Sequence, residues 1–210
     1  MNGSIYDKES QRQALRQQGN DVPAGHLAVH RWYLRLAEPW KIADRDPPSE
    51  GLTIMRANNP SVAFYRFLYH TAGEEFVWGD RRRMSDEKLA GLIGKDDVHV
   101  MVLYKSGTPA GFYDVNFSDP SETEIKYFAL LPGNIGQGFG GYLLTKAILY
   151  AGEKKVPLVL DTCTLDHPMA LENYRKRGFE IYREDDEEYP DPRLDGTIRK
   201  DAGQHVPLAE

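Results

Sequence analysis

The sequence predicts an α/β fold with a mixed, mostly antiparallel sheet flanked by helices, and three observations carry that reading. From Val98 onward two runs of strand character, VHVMVLY and AGFYDVNF, are separated by the turn residues Lys105 to Thr108, the pattern of a hairpin. The strand-like run from Glu122 to Leu131 ends at Pro132 and Gly133, then passes through a glycine-rich turn into a helical pattern. The nearly continuous apolar run PLVLDTCT from Pro157 then suits a buried strand. A chain of 210 residues and 23.9 kDa is long enough to bury a core of this kind without staples.

The elements follow in order. Residues 1–25 are polar, end in Gly-Asn-Asp-Val-Pro, and are expected to be a flexible arm. Residues 26–51 form an N-terminal extension, in which Leu27, Val29, Trp32 and Leu34 alternate roughly as in a strand and Asp44 to Gly51 is a loop by composition. Leu52 to Met55 is a short strand. Ser61 to His70 is an aromatic-rich helix introduced by the start signals Asn58, Asn59, Pro60 and Ser61. A second helix begins at Ser85, with Asp86 and Glu87 in its first turn and Leu89, Leu92 and Ile93 on one face. After the hairpin and third strand, a helix over 138–155 aligns Leu143, Leu144, Ala147, Ile148 and Ala151. His167 to Arg177 is a helix stopped by Gly178, and Phe179 to Tyr182 is a last strand. From Glu184 the chain is rich in Asp, Glu, Pro and Gly; residues 186–210 are expected to be a loose polar tail.

Composition narrows the function. With 26 basic and 32 acidic residues the net charge is -6, which argues against a general nucleic-acid binder. A single cysteine, Cys163, excludes an internal disulfide framework and a cysteine-based zinc site. The polar N-terminus has no apolar run like that of a signal peptide, and no stretch approaches a membrane span, so a cytoplasmic location is expected. His26 and His30 have helical metal-ligand spacing but lack a following Glu and a third ligand, so no metal is expected. Cys163 lies in an apolar strand and reads as an inert thiol rather than a nucleophile paired with His167. The triplet Arg81, Arg82 and Arg83 reads as a solvated face, with a phosphate contact as the alternative. Phe64, Tyr65, Phe67 and Tyr69 read as core and cleft wall.

The chemistry concentrates in FALLPGNIGQGFGGYLL, from Phe128 to Leu144. Glycine allows positive φ and removes the Cβ that would hold a ligand away from the backbone. A helix start adds N–H groups that have no intrahelical partner and partial positive charge. Together they form an anion cradle suited to a pyrophosphate. Tight packing alone also explains a glycine-rich turn. Gly136, Gly138 and Gly141 satisfy a dinucleotide-binding string, but the strands before it are hairpins, and no Gly-Lys-Ser/Thr of a P-loop is present.

Residues 122–179 resemble the GNAT superfamily of acyl-CoA-dependent N-acyltransferases through EIKYFALLP, IGQGFG and HPMALENYRKRGF. The family's loop usually reads Arg/Gln-x-x-Gly-x-Gly/Ala and its later helix Asn-x-x-Ala, then Tyr, then Gly-Phe. The corresponding positions here are Ile135, Gly138 and Gly140, then His167, Ala170, Tyr174, Gly178 and Phe179. The hairpin from Val98 extends the match, and residues 52–95 fit more loosely, which frames a GNAT-like domain over 52–185. Two positions depart from the pattern. Ile135 stands where the family has Arg or Gln, so no polar side chain assists there. His167 stands where it has Asn, and precedes Pro168 in a sequence that also suits helix capping.

The resemblance implies that acetyl-CoA is the cosubstrate and that an amine attacks it directly in a ternary complex. By match, the backbone of Phe128, Ala129 and Leu130 would pair with the pantetheine amides, and Ile135, Gly136, Gln137, Gly138, Phe139 and Gly140 would hold the pyrophosphate. His167 is either a cofactor contact or a cap. An alkylammonium has a pKa of about 10 and must lose a proton before it attacks. Glu124 matches the base glutamate of the histone acetyltransferase branch; water, Tyr127, Asp114 and Asp161 are rival routes. Tyr174 matches the phenol that donates to the departing thiolate. Full transfer from Tyr (about 10) to a thiolate (about 8.5) is uphill by roughly 2 kcal/mol, so a hydrogen bond is the better description. The N–H of Leu130 would serve the developing oxyanion. A non-catalytic acyl-CoA-binding or regulatory module is the alternative from another class, and a nicotinamide-binding protein the third. Family members are often dimers, so a homodimer is also an expectation.

Overall fold

A computed structural model describes residues 22–209 of the chain; the expected arm over 1–25 lies outside the described residues except for its last positions. The strands are β1 (His26–Leu36), β2 (Leu52–Arg56), β3 (Val98–Lys105), β4 (Thr108–Asn116), β5 (Thr123–Leu130), β6 (Leu158–Cys163) and β7 (Glu180–Pro190). The helices are α1 (Val62–Gly73), α2 (Asp86–Ile93), α3 (Phe139–Ala151) and α4 (Ala170–Arg175), with 3₁₀ turns at Pro39–Lys41 and Gly152–Lys154. The strands follow the order β2-β3-β4-β5-β6-β1-β7 in a seven-stranded sheet. β2 to β5 pair antiparallel and β5 pairs parallel with β6, so the sheet is mixed as expected. The chain divides into two compact units. One comprises Arg35–Ala72 and Met84–Leu160; the other comprises the described residues through Leu34, Gly73–Arg83 and the described residues from Asp161.

In the first of these, β3 and β4 are joined by Ser106 (φ 49°) and Gly107 (φ 84°), the two positive-φ residues of a type I′ turn. That turn fixes Lys105 opposite Thr108, while β2 holds it from the other side through Leu52. α3 buries Phe139, Tyr142, Leu143, Leu144, Ala147, Ile148 and Ala151, which is why an otherwise polar turn leads into so apolar a run. Gly111 permits close packing here, since a Cβ would stand 2.8 Å from the Ala129 carbonyl oxygen and 3.1 Å from Leu143. Ser85 caps α2 as its sequence indicates, its hydroxyl accepting from the Lys88 N–H at 3.3 Å. Between Asp114↔Tyr127 and Val115↔Ile125 the ladder skips Lys126, a β-bulge in β5.

The second unit departs from expectation at the C-terminal end. β7 runs to Pro190, although the chain beyond Glu184 reads as loose. Its acidic residues answer β1: His30 bonds Asp186 at 2.7 Å and Glu184 at 2.9 Å, and Arg31 bonds Glu187 at 3.0 Å. Opposite charges across neighbouring strands favour pairing, and charge along a strand guards it against aggregation. After β7, Ile198, Ala202 and Val206 join Leu27, Val29, Val77 and Leu165 in a buried cluster. The Arg193–Asp191 pair, almost wholly buried, organises that segment: the guanidinium donates to Asp191 at 2.7 Å and to the carbonyls of Val206 (2.9 Å) and Pro207 (2.8 Å). The basic triplet is not a solvated face. Arg81 is buried, Arg82 bonds Glu74 at 2.7 Å, and Arg83 bonds Asp195 at 2.8 Å. No helix among the described residues is long and apolar enough to cross a membrane.

Candidate functional site

The turn between β5 and α3 is built by glycine conformation. Gly133, Gly136 and Gly138 have φ of 81°, 83° and 81°. A Cβ added at Gly136 would meet nothing within 4 Å, and one at Gly138 would first meet Pro48 at 3.4 Å. The turn therefore presents exposed backbone to solvent, and Gly138 serves as the N-cap of α3 without a side-chain cap hydrogen bond. The bare, exposed backbone and the helix start that follows it are the features an anionic group such as a diphosphate would require. The turn is braced internally: the Gln137 amide donates to the Gly133 carbonyl at 2.7 Å, and the Asn134 N–H donates to the Leu131 carbonyl at 3.2 Å. Lys105 donates to the Gln137 side-chain oxygen at 2.9 Å, and its ammonium lies 4.9 Å from the centroid of the Phe139 ring. Ile135 is exposed, as a position facing solvent or ligand.

β5 delivers the chain to this turn. Its parallel register with β6 covers Thr123, Ile125 and the intervening Glu124, against Leu158, Leu160 and Val159. From Phe128 to Leu130 the antiparallel register with β4 continues, opposite Tyr113, Phe112 and Gly111. The bulge at Lys126 reverses the alternation of faces, so Tyr127 shares a face with Asp114 and Glu124. α1 brings two phenols to that face. The Tyr65 hydroxyl donates to buried Asp114 at 2.7 Å, and the Tyr69 hydroxyl stands 3.5 Å from that of Tyr127, with the rings edge-to-face at 5.0 Å. Glu124 is partly exposed, and the Lys126 ammonium contacts it at 3.2 Å.

The other unit carries Tyr174, buried on α4 with its ring 5.9 Å from that of Phe179. Burial pushes its phenol well above the ordinary value, and the negative charges of Asp166 and Asp161 push it the same way. The group is held protonated, a hydrogen-bond donor rather than an acid. Burial also raises Asp166, only partly offset by donors from Thr162 (2.8 Å), the Cys163 N–H (3.1 Å) and Trp78 (3.3 Å). Burial and the adjacent Asp166 push the Cys163 thiol up too, the opposite of what a nucleophile needs. Asp161, unexpected in an apolar strand, is paired with the Arg31 guanidinium. His167 accepts the Met169 N–H at 3.1 Å, a bond within the turn that precedes α4, whose N-cap, Met169, makes no side-chain cap hydrogen bond.

Comparison with known proteins adds the decisive observation: the profile of the acetyltransferase (GNAT) family matches residues 65–179, more than half of the chain. The chain belongs to the GNAT family. A relative of this GNAT chain is the S-alkylcysteine N-acetyltransferase of Bacillus subtilis (strain 168), 33% identical over a stretch covering 42% of this chain and 54% of that protein. The match thus spans about half the length of that curated relative. Among solved structures, a functionally unknown conserved protein from Staphylococcus epidermidis has a TM-score of 0.56 at 18% identity, covering 90% of this chain and 69% of its own. A GCN5-related N-acetyltransferase from Kribbella flavida has a TM-score of 0.54 at 18% identity, covering 80% and 60%. These likenesses show the fold.

Within this GNAT chain, the structure brings together two groups of the residues singled out from sequence. Ile135 to Gly138 form an exposed turn four residues beyond Phe128, Ala129 and Leu130, and Phe139, buried, and Gly140 open α3; Glu124 lies further back on the same strand as Phe128. Tyr174 and His167 belong to the other unit. Lys105 and the Tyr65–Asp114 pair were not foreseen as neighbours of these residues. Lys105 looks like an ordinary turn lysine in sequence, and only the hairpin register carries it to Gln137. His26 and His30 lie on a strand, where four residues span roughly 13 Å, so their spacing is not that of shared ligands.

Proposed function

We propose that the protein transfers an acetyl group from acetyl-CoA to the α-amino group of a small amino acid, with an S-alkylated cysteine as the first candidate. The observation that carries the reading is the exposed positive-φ turn at the start of α3, inside the stretch matched by the GNAT family. The acceptor follows from the curated relative's name and its identity over the matched region. Acetyl-CoA supplies an acyl thioester and a thiolate leaving group. The backbone N–H groups of Ile135 to Gly140 bind the diphosphate, and Phe128 to Leu130 pair with the pantetheine amides. Glu124 takes the proton that the ammonium must shed, a contribution of about 10²- to 10⁴-fold for a placed base. Tyr174, kept protonated by burial, donates a hydrogen bond to the developing thiolate. His167, whose ring accepts the Met169 N–H, contacts the cofactor from the turn before α4. The domain over 52–185 is the catalytic part, and a cytoplasmic enzyme agrees with the single thiol.

The test is release of CoA thiol from acetyl-CoA in the presence of an amine panel: S-methylcysteine, S-benzylcysteine, free amino acids, a polyamine and an aminoglycoside. Turnover with the S-substituted cysteines above the rest is the expected result. Binding of acetyl-CoA without turnover on any amine favours the non-catalytic module. For the base, Glu124→Gln should flatten the acid limb of the pH–rate profile, whereas an unchanged limb with an altered one in Tyr127→Phe moves the role to the Tyr69–Tyr127 pair.

A further inference from the structure

We infer that Lys105, at the end of β3, is a phosphate-binding residue that supplies from the hairpin the positive charge absent at Ile135; the inference rests on the acetyl-CoA reading of the turn. Ile135 offers an exposed aliphatic side chain at the start of the turn, and neither it nor Gln137 carries charge. Lys105 compensates from a different element. Its Nζ is 2.9 Å from the Gln137 Oε1, and Gln137 is itself anchored to the Gly133 carbonyl at 2.7 Å. The ammonium is thus held to the turn by a residue of the turn, above the ring of Phe139, the first residue of α3.

Three features separate this lysine from a solvated one. Its backbone is fixed on both sides, by Leu52 of β2 and Thr108 of β4, and by the type I′ turn that follows. Its partner is a neutral amide, so the positive charge is not cancelled. Lys146, on α3, shows the contrast: its ammonium is held by the Asp44 carboxylate at 2.6 and 2.7 Å. Finally, an ammonium has three N–H donors, and Gln137 uses one, which leaves donors for phosphate oxygens without breaking the bond that positions the group. Lysine serves phosphate as a point charge, so it needs no bidentate geometry here.

The experiment compares wild type, Lys105→Gln and Lys105→Arg by calorimetry with CoA at low and moderate salt, and by turnover with acetyl-CoA and with acetyl-pantetheine, which lacks the diphosphate. Loss of one phosphate contact should weaken CoA about five- to tenfold in Lys105→Gln, with Lys105→Arg close to wild type. The salt dependence of CoA affinity should shrink in Lys105→Gln, and turnover of acetyl-pantetheine should stay within twofold. A CoA affinity unchanged in Lys105→Gln while wild type binds CoA overturns the role of Lys105 and leaves the turn standing. Wild type that does not bind CoA overturns both. An equal loss with acetyl-pantetheine also overturns the inference, since it marks Lys105 as a general support of the fold.

Discussion

Replacing Gly138 by alanine makes the most exacting demand on the glycine turn. Gly138 has φ 81°, and a Cβ there would lie 3.4 Å from Pro48 Cβ and 3.7 Å from its Cγ. An L-residue in the left-handed region costs about 1–2 kcal/mol. If the free protein keeps the native turn, that strain appears as lost stability, roughly 2–8 °C in Tm for a chain of this size. If the turn relaxes to negative φ instead, stability is spared, and the strain must be restored on binding. CoA affinity then falls about five- to thirtyfold. The losses in folding and in binding should therefore add to about the same total whichever route the turn takes. Gly136→Ala has the same φ penalty (83°) and open space around its Cβ, so it should lose somewhat less than Gly138→Ala. Gly91→Ala, in the interior of α2 with nothing near its Cβ, is the control and should raise Tm, by about 0.5–1 kcal/mol of stability. Thermal melts and CoA calorimetry on the three variants decide the matter. If Gly136→Ala and Gly138→Ala match wild type in both measurements, the positive-φ argument is wrong.

Tyr174→Phe should lower kcat about ten- to hundredfold, the value of one hydrogen bond to a charged atom, with CoA affinity within twofold; an unchanged kcat removes its role. For His30, burial disfavours the charged ring, but the hydrogen bonds and charges of Asp186 and Glu184 outweigh it and raise its pKa above 6.5. A raised folded pKa means stability fully present below pH 6.5 and lost as pH rises through the folded value. His30→Gln should therefore show a small Tm deficit at pH 5.5 that fades by pH 9, and a deficit constant with pH contradicts this. Arg193→Met leaves Asp191 buried without its partner and should cost about 3–5 kcal/mol, a fall in Tm of roughly 6–20 °C. Early proteolysis in the segment after Pro190 should accompany it, and a Tm within 2 °C of wild type speaks against the buried pair as its organiser.

Local signals made most of the fold legible. The hairpin turn, the Ser85 cap and the apolar face of α3 each rest on neighbouring residues, and each forms where the pattern places it. The C-terminal part was not legible, because its order depends on partners far along the chain. REDDEEY is an unpromising strand until His30 and Arg31 stand beside it, about 155 positions earlier. Arg193 lies in a stretch that reads as a loose polar tail, and its order rests on Asp191 and the carbonyls of Val206 and Pro207 closing around it. In the candidate site the glycine turn was readable because glycine's conformational freedom is a property of the residue itself. Lys105 and the Tyr65–Asp114 pair were hidden, since strand register and helix packing, not sequence proximity, bring them to Gln137 and to β5.

Amide-resolved NMR of the isotopically labelled protein titrated with CoA reads the turn itself. The N–H signals of Gly136, Gly138 and Gly140 should shift furthest and saturate together with the calorimetric Kd. Signals at these glycines that stay in place while CoA binds elsewhere, or no response at all, would contradict an acetyl-CoA site built on the start of α3.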